Sequence, residues 1–477
     1  RKPSPSLRDS QRRKEKVMRK LFIWWSFNLL CFTGIQAQEV LPIRTVLNWV
    51  SEHHPVMRRA SIVSDQAAAR IRTARGAFDP VLSSDLDRKA FETKEYWTML
   101  ETKLKIPTWY GVHVFGGYEY YQGNFIDPSR TVPELGLFSA GLGVSLAKGL
   151  WFDERRATLR QAQALGEAAQ AEQIDMVNGL FLKVTEDYWD WSYAYQEQEV
   201  FKRSVNLAMD QLELVRISFQ QGDRPAVDTL EALLLYQSRL AALQNAQLKY
   251  SQSRLKLENH LWKEGRIPME MDTSLIPEPV MRASQLSPLS PDSLLQLNQV
   301  ILQANPGLNA LRFQIRALEL ERKLKAAAMM PQLDVTYNFL YSQNTPVWVT
   351  DNYKLGVTFK APLLLRKERG SWQQARLKVE DAQLKLSESQ VKTKNLLQAH
   401  LAEYQTLVAQ VALFGQMVDN FTNLLAAERL RFDNGESTVF LVNARELSLI
   451  DASIRLADFQ RRMLKTAQTI RFIAGTK

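Results

Sequence analysis

Histidines are the first residues to examine for chemistry, because imidazole is the commonest general base and metal ligand near neutral pH. The chain has five: His53, His54, His113, His260 and His400. Only the first two are close enough in sequence to share an ion, and a pair ending a helical stretch just before Pro55 reads more simply as solvated. The one cysteine is Cys31. No Gly-x-Ser-x-Gly elbow, phosphate-binding Gly-x-x-x-x-Gly-Lys-Ser/Thr loop or His-Glu-x-x-His zinc motif occurs. The residues therefore offer no catalytic, cofactor or metal site. Charged side chains are spread along helical stretches, where they read as solvated faces and i, i+4 pairs. The expectation is a protein that is not a catalyst.

The longest elements of the chain occur twice. Residues 151–222 and 362–435 contain no proline after their first few positions and are rich in Ala, Leu, Gln, Glu, Lys and Arg, good helix formers. A shift of 213 lays Gly143-Val144 on Gly356-Val357, Arg156 on Arg369, Phe219 on Phe432 and Gly222 on Gly435. One register held over about 80 residues marks an internal duplication. Helices of some 70 residues would run roughly 100 Å, so neighbours must support them along their length. The aromatic stripe Phe181, Val184, Tyr188, Trp191 and Tyr195 reads as packing.

Composition removes other classes. Of the +10 net charge over 477 residues, +7 lies in residues 1–37, leaving an ordinary balance elsewhere. Nothing else forms a basic stripe with exposed aromatics, so nucleic acid is not an expected partner. Met18-Arg19-Lys20, the apolar run to Ile35 and the small residue Ala37 form a secretory signal peptide pattern, with cleavage expected after Ala37. The run is too short to span a bilayer, and without Cys31 the mature chain has no thiol chemistry.

Short helices are expected at residues 40–50 and 56–77, followed by strands across residues 81–147 and 333–360. In the second copy Val335, Tyr337, Phe339 and Tyr341 alternate with Thr336, Asn338, Leu340 and Ser342. Leu355, Val357 and Phe359 alternate with polar or small residues, as do Leu142, Val144 and Leu146 in the first copy. That pattern fits a membrane β-barrel wall, with Trp109, Tyr110, Tyr118, Tyr120 and Tyr121 as interfacial aromatics. Residues 95–122, present only in the first copy, read as an extra hairpin turning near residues 107–111. Residues 263–296 hold five prolines and read as an irregular connector.

Each long helix should end in a glycine turn, at Gly222 and Gly435, with Pro225 in the first turn of one returning helix and Ser437 capping the other. The hairpins would span residues 150–262 and 363–474, inside repeats at 38–262 and 297–474. This order resembles the TolC family of outer-membrane efflux proteins. Its marks here are Asn305-Pro306 with Pro331-x-Leu333, Gly356-Val357-Thr358-Phe359-x-x-Pro362-Leu363, and Arg431-Phe432-x-x-Gly435-x-Ser437 followed by Leu441-x-Asn443-Ala444.

The resemblance implies a mainly α fold with membrane β-structure: duplicated helical hairpins forming a trimeric α-barrel tunnel continuous with a shared outer-membrane β-barrel. It implies a homotrimer in a Gram-negative outer membrane. A periplasmic adaptor protein would meet the hairpin tips and link them to an inner-membrane pump. On that reading Phe219, Gly222, Pro225, Arg431, Phe432, Gly435 and Ser437 form the adaptor contact. The family constricts near the tip with acidic side chains after the second turn. Phe440 and Asn443 occupy those positions, while Asp228 and Glu231 follow the first turn, so these four are the candidate constriction. The competing reading is an exported periplasmic coiled-coil scaffold without channel activity.

Overall fold

The computed structural model describes residues 39–147, 153–272, 274–280, 301–343 and 351–475; the expected leader and connector residues 281–296 lie outside them. In chain order, β1 (Glu39–Leu41), α1 (Ile43–His53) and α2 (Pro55–Gly76) lead into β2 (Val81–Phe91), β3 (Lys94–Pro107), β4 (Val112–Gln122) and β5 (Leu137–Ala147). Then come α3 (Glu154–Gln220), α4 (Ala226–Glu258) and the short strands β6 (Trp262–Lys263), β7 (Ile267–Pro268) and β8 (Leu275–Pro277). The second copy supplies α5 (Pro306–Ala327), β9 (Gln332–Tyr341), β10 (Tyr353–Lys360), α6 (Arg366–Asp433) and α7 (Val439–Ala474).

The long helices α3 and α6 have 67 and 68 residues. Each is flanked throughout. Towards the sheet the packing order is α2–α3–α5–α6, and towards the turns it is α4–α3–α7–α6. The wall is thus four helices across at both levels. Small residues at seven-residue intervals make this close packing possible: Ala60, Ala67 and Ala74 on α2, Ala157, Ala164 and Ala171 on α3, Ala310 and Ala317 on α5 are all buried. A sustained seven-residue seam winds straight helices into a left-handed supercoil. At Gly166 a Cβ would already come within 3.1 Å of Ile71, so the α2–α3 approach has no slack there.

Halfway down, the expected aromatic stripe is core. Val184, Tyr188 and Trp191 are fully buried with Val46 and Val50 of α1, Leu257 of α4, and Met271 and Val280 of the connector. Truncating Trp191 would cost about 3–5 kcal/mol. The Tyr188 hydroxyl donates to the Leu41 carbonyl at 2.6 Å and accepts from the Glu278 amide at 3.0 Å. It fixes β1 and the connector to α3. Here the structure corrects the sequence expectation: Val40 lies in β1, paired in parallel with β8, and α1 begins only at Ile43, after Pro42. Likewise α6 begins at Arg366, not at Pro362, after Leu365 turns the chain at φ +51°.

The six strands form one sheet in the order β10–β9–β5–β4–β3–β2, antiparallel throughout. The β3–β4 hairpin, extra in the first copy, is therefore integral to the sheet between β2 and β5. Its turn faces the helices, since Trp109 lies against Phe78 with ring centroids 5.4 Å apart, and His113 lies 3.5 Å from Arg155 at the start of α3.

Candidate functional site

The two hairpin turns are built identically. Phe219 and Phe432 carbonyls accept from the Gly222 and Gly435 amides at 3.0 Å, and the following amides of Asp223 and Glu436 reach back to Ser218 and Arg431. This is a Schellman motif, whose C′ residue must turn left-handed. Gly222 and Gly435 do so at φ +83° and +79°. The flanking roles differ from those expected. Pro225 is the N-cap of α4, with Ala226 the first helical residue. Thr438, not Ser437, caps α7, accepting from the Leu441 amide at 3.4 Å. Ser437 instead donates to buried Glu428 at 2.5 Å.

Glu428 organises the second turn. Arg431 and Arg445 stand 4.0 and 3.6 Å from its carboxylate, and the Ser437 hydroxyl, followed by those guanidiniums, holds its carboxyl below the usual range. The first turn is tied to the second by Arg224. Its guanidinium lies 5.1 Å from the Phe432 ring centroid and 3.6 Å from Asp228. Below them Leu212, Val215, Ala232 and Val439 form a small core shared by α3, α4 and α7, with Phe432 packed against it. Phe219 is exposed beside the turn. Of the candidate constriction residues, Asp228 is engaged by Arg224, Glu231 is exposed, Asn443 is half-buried and Phe440 stands free at 68% exposure. Asp228 and Glu231 are neighbours three residues apart on α4, and Phe440 and Asn443 are neighbours three apart on α7. Sequence reasoning did not single out Arg224, Glu428 or Arg445, whose roles depend on contacts between elements.

Higher up, α7 is held to α3 by Arg461 and Lys465, which donate to Asp190 at 2.6 and 3.0 Å. Buried Glu446 is pushed up by desolvation, which the attraction of Arg239 and Arg429 opposes. It lines a cleft of about 390 Å³ between α3, α6 and α7. At the level of the connector, the expected solvated histidine pair divides. His54 is buried as the N-cap of α2, accepting from the Val56 amide, and its ring lies 6.0 Å from His260. Burial, followed by the charge of His260, lowers its pKa to about 4. His260 in turn meets Asp187 at 2.9 Å. Among the described residues no group of three or more His, Cys, Asp or Glu is arranged to hold a metal ion.

The sheet is sorted by charge. One face carries Leu82 and Leu86, Leu104, Val114, Leu142, Phe339, Leu355, Val357 and Phe359, all exposed, with Phe359 at 66%. The pairing registers place Asp85, Asp87, Glu101, Lys103, Glu119, Lys354 and Lys360 on the other. Arg88 and Glu95 interrupt the apolar face only at the end far from the helices, where they pair at 2.9 Å. Strands of transmembrane β-barrels alternate in this way. Among the described residues no helix is long and apolar enough to cross a membrane.

A family model described as outer membrane efflux protein matches residues 46–261 and 297–476. The chain belongs to that family. The solved structures similar to this efflux-family chain include the Vibrio cholerae outer membrane protein VceC, 15% identical, with a TM-score of 0.64 over 91% of this chain and 96% of that one. The Neisseria gonorrhoeae MtrE outer membrane channel, in an open state, gives 13% identity and a TM-score of 0.65 over 91% and 88%. The Campylobacter jejuni CmeC outer membrane channel gives 12% and 0.63 over 91% and 85%. At these identities the likeness is one of fold. No curated protein matches the sequence.

Proposed function

We propose that this chain is the passive outer-membrane duct of a tripartite efflux or type I secretion system. The observation that carries the reading is the polarity of the six-stranded sheet, apolar on one face and charged on the other, at the end of a four-helix wall about 100 Å long. A single sheet has two free edges, and free edges are not tolerated in lipid. Three copies remove them by closing a shared β-barrel, while their helices close a tunnel across the periplasm. Exposed Leu363 and Leu364 lie between β10 and α6, where the sheet meets the helices and the bilayer surface falls. Energy and cargo come from an inner-membrane pump through a periplasmic adaptor, so the duct needs no catalytic group.

On this reading Phe219, Gly222, Pro225, Arg431, Phe432, Gly435 and Ser437 meet the adaptor, and Phe440 with Asn443, Asp228 and Glu231 lines the narrowest passage. The scaffold alternative leaves the exposed leucines, valines and phenylalanines of that sheet face in water, a contiguous apolar patch of the kind soluble proteins rarely expose. The test is expression in cells lacking their own outer-membrane channel, with a cognate adaptor and pump supplied. Restored resistance to pumped substrates supports the duct. Correct localisation without restoration, with that adaptor present, contradicts it.

A further inference from the structure

The edges of the sheet, β2 and β10, show how copies join. Following the hydrogen-bonded partners across it, Val81 pairs with Lys105, then Phe115, Gly141, Asn338 and finally Lys354. Val81 is the first residue of β2 at the helical end, whereas Lys354 lies six residues above the helical end of β10 at Lys360. Over the five steps from β2 to β10 the sheet therefore slips six residues, and a level sixth step to the next copy makes this one residue per strand. A slip of one residue per strand, with a rise of about 3.3 Å and a strand spacing of about 4.8 Å, corresponds to a tilt of roughly 35°. Membrane barrels have tilts of about 35–45°.

We propose that the β10 edge of one copy docks on the β2 edge of a second copy, with Lys354 opposite Asp87 of the neighbouring copy. Three six-stranded sheets, eighteen strands in all, then close one barrel. The inference rests on the trimeric duct proposed above. Levelling the helical ends of the two edges puts Lys360 opposite Val81, Gly356 opposite Asp85 and Lys354 opposite Asp87 on the charged face. The same register puts Phe359 opposite Leu82, Leu355 opposite Leu86 and Tyr353 opposite Arg88 on the apolar face. On the apolar face Phe359 and Leu355 meet leucines, and on the charged face Lys354 meets Asp87. Among the described residues Asp85, Asp87, Lys354 and Lys360 form no ion pair within the chain. Asp85 stands directly opposite Glu101, and Lys103 pairs with Glu101 and attracts Asp85, so Asp87 is the edge carboxylate that meets a neighbour's lysine.

The helices agree. The packing order α2–α3–α5–α6 matches the strand order β2–β3–β4–β5–β9–β10, because α2 leads into β2, β5 into α3, α5 into β9 and β10 into α6. One seam thus separates copies in both layers. Six tilted strands span roughly 35 Å, close to the ~32–40 Å of four helices side by side. Without the β3–β4 hairpin the sheet would span only about two thirds of that width. The hairpin matches the barrel to its tunnel, with a backbone diameter of roughly 33 Å, wide enough for cargo as large as the tunnel admits.

The test uses the full chain in a Cys31→Ala background, assembled in membranes. Asp87→Cys combined with Lys354→Cys should yield a covalent, reducible trimer on oxidation, with neither single variant cross-linking. Ser83→Cys with Lys354→Cys, about 13 Å out of register, should cross-link at least tenfold less. Conducting trimers in which the first pair stays uncross-linked, or the second reacts equally, overturn the seam while leaving the duct standing. Protein that is monomeric and silent overturns the duct and the seam with it. Charge reversal gives a second readout. Asp87→Lys should lower the temperature at which trimers dissociate in detergent, and adding Lys354→Asp should restore it; three identical temperatures overturn the pairing.

Discussion

The Arg224 guanidinium lies 5.1 Å from the centroid of the Phe432 ring, joining the turn of the first hairpin to that of the second. The two turns thus present one surface at the tip, instead of two independent loops.

Arg224→Ala should separate the turns. A cation–π contact of this kind is worth about 0.5–2 kcal/mol, so amide exchange at residues 215–230 should quicken about 2- to 30-fold, with the trimer retained. Exchange equal to the parent would show that the turns are held by the Leu212–Val439 core alone.

The turn glycines test the tip in another way. Neither Gly222 nor Gly435 has any heavy atom of another residue near its missing Cβ, so space is no obstacle to a side chain. Backbone strain is. Valine at φ near +80° costs about 1–3 kcal/mol, and Gly222→Val or Gly435→Val should impair adaptor docking and resistance without loss of trimers. Full resistance in both variants counts against an adaptor site at the turns.

Phe440 is 68% exposed at the start of α7. If aromatic rings from three copies narrow the passage, Phe440→Ala should raise unitary conductance by roughly twofold or more, as expected on widening a hydrophobic constriction. No change moves the constriction to Asp228 and Glu231.

His54 makes stability pH-dependent. Its neutral ring accepts the Val56 amide and its pKa falls from 6.5 to about 4. Because the folded value is the lower one, its contribution is complete above the unfolded pKa and is lost as pH falls from about 6.5 towards 4. The loss approaches about 3 kcal/mol, by linkage. Asp187, held below its usual range against desolvation by His260 and Lys183, adds its loss only below that window. His54→Asn keeps an N-cap acceptor and should flatten the unfolding temperature between pH 7 and 4.5. An unchanged slope would assign the dependence to other groups.

What could be read in the sequence is what period and spacing encode. The 213-residue shift placed both glycine turns, and strand alternation placed β9, β10 and β5 with the correct faces. The extra hairpin turns within residues 107–111, as its alternation indicates. What could not be read depends on partners distant in the chain. Val40 looks helical by its apolar spacing but lies in a strand, because residues 275–277 supply its ladder. Ser437 looks like a cap until Glu428, nine residues earlier, accepts its hydrogen bond. His54 looks solvated beside Pro55, yet it is buried, with the His260 and Trp262 rings that follow α4 lying against it. Edge strand β2 begins where the strands expected across residues 81–147 begin, although Ser84 and Arg88 on its apolar face weaken its own alternation.

The most direct test of the account is planar-bilayer conductance of the purified mature chain, with its mass in detergent measured on the same sample. The account predicts a trimer giving discrete openings that persist without adaptor, pump or energy source. A monodisperse, soluble species that neither inserts nor conducts would contradict it and favour the periplasmic scaffold.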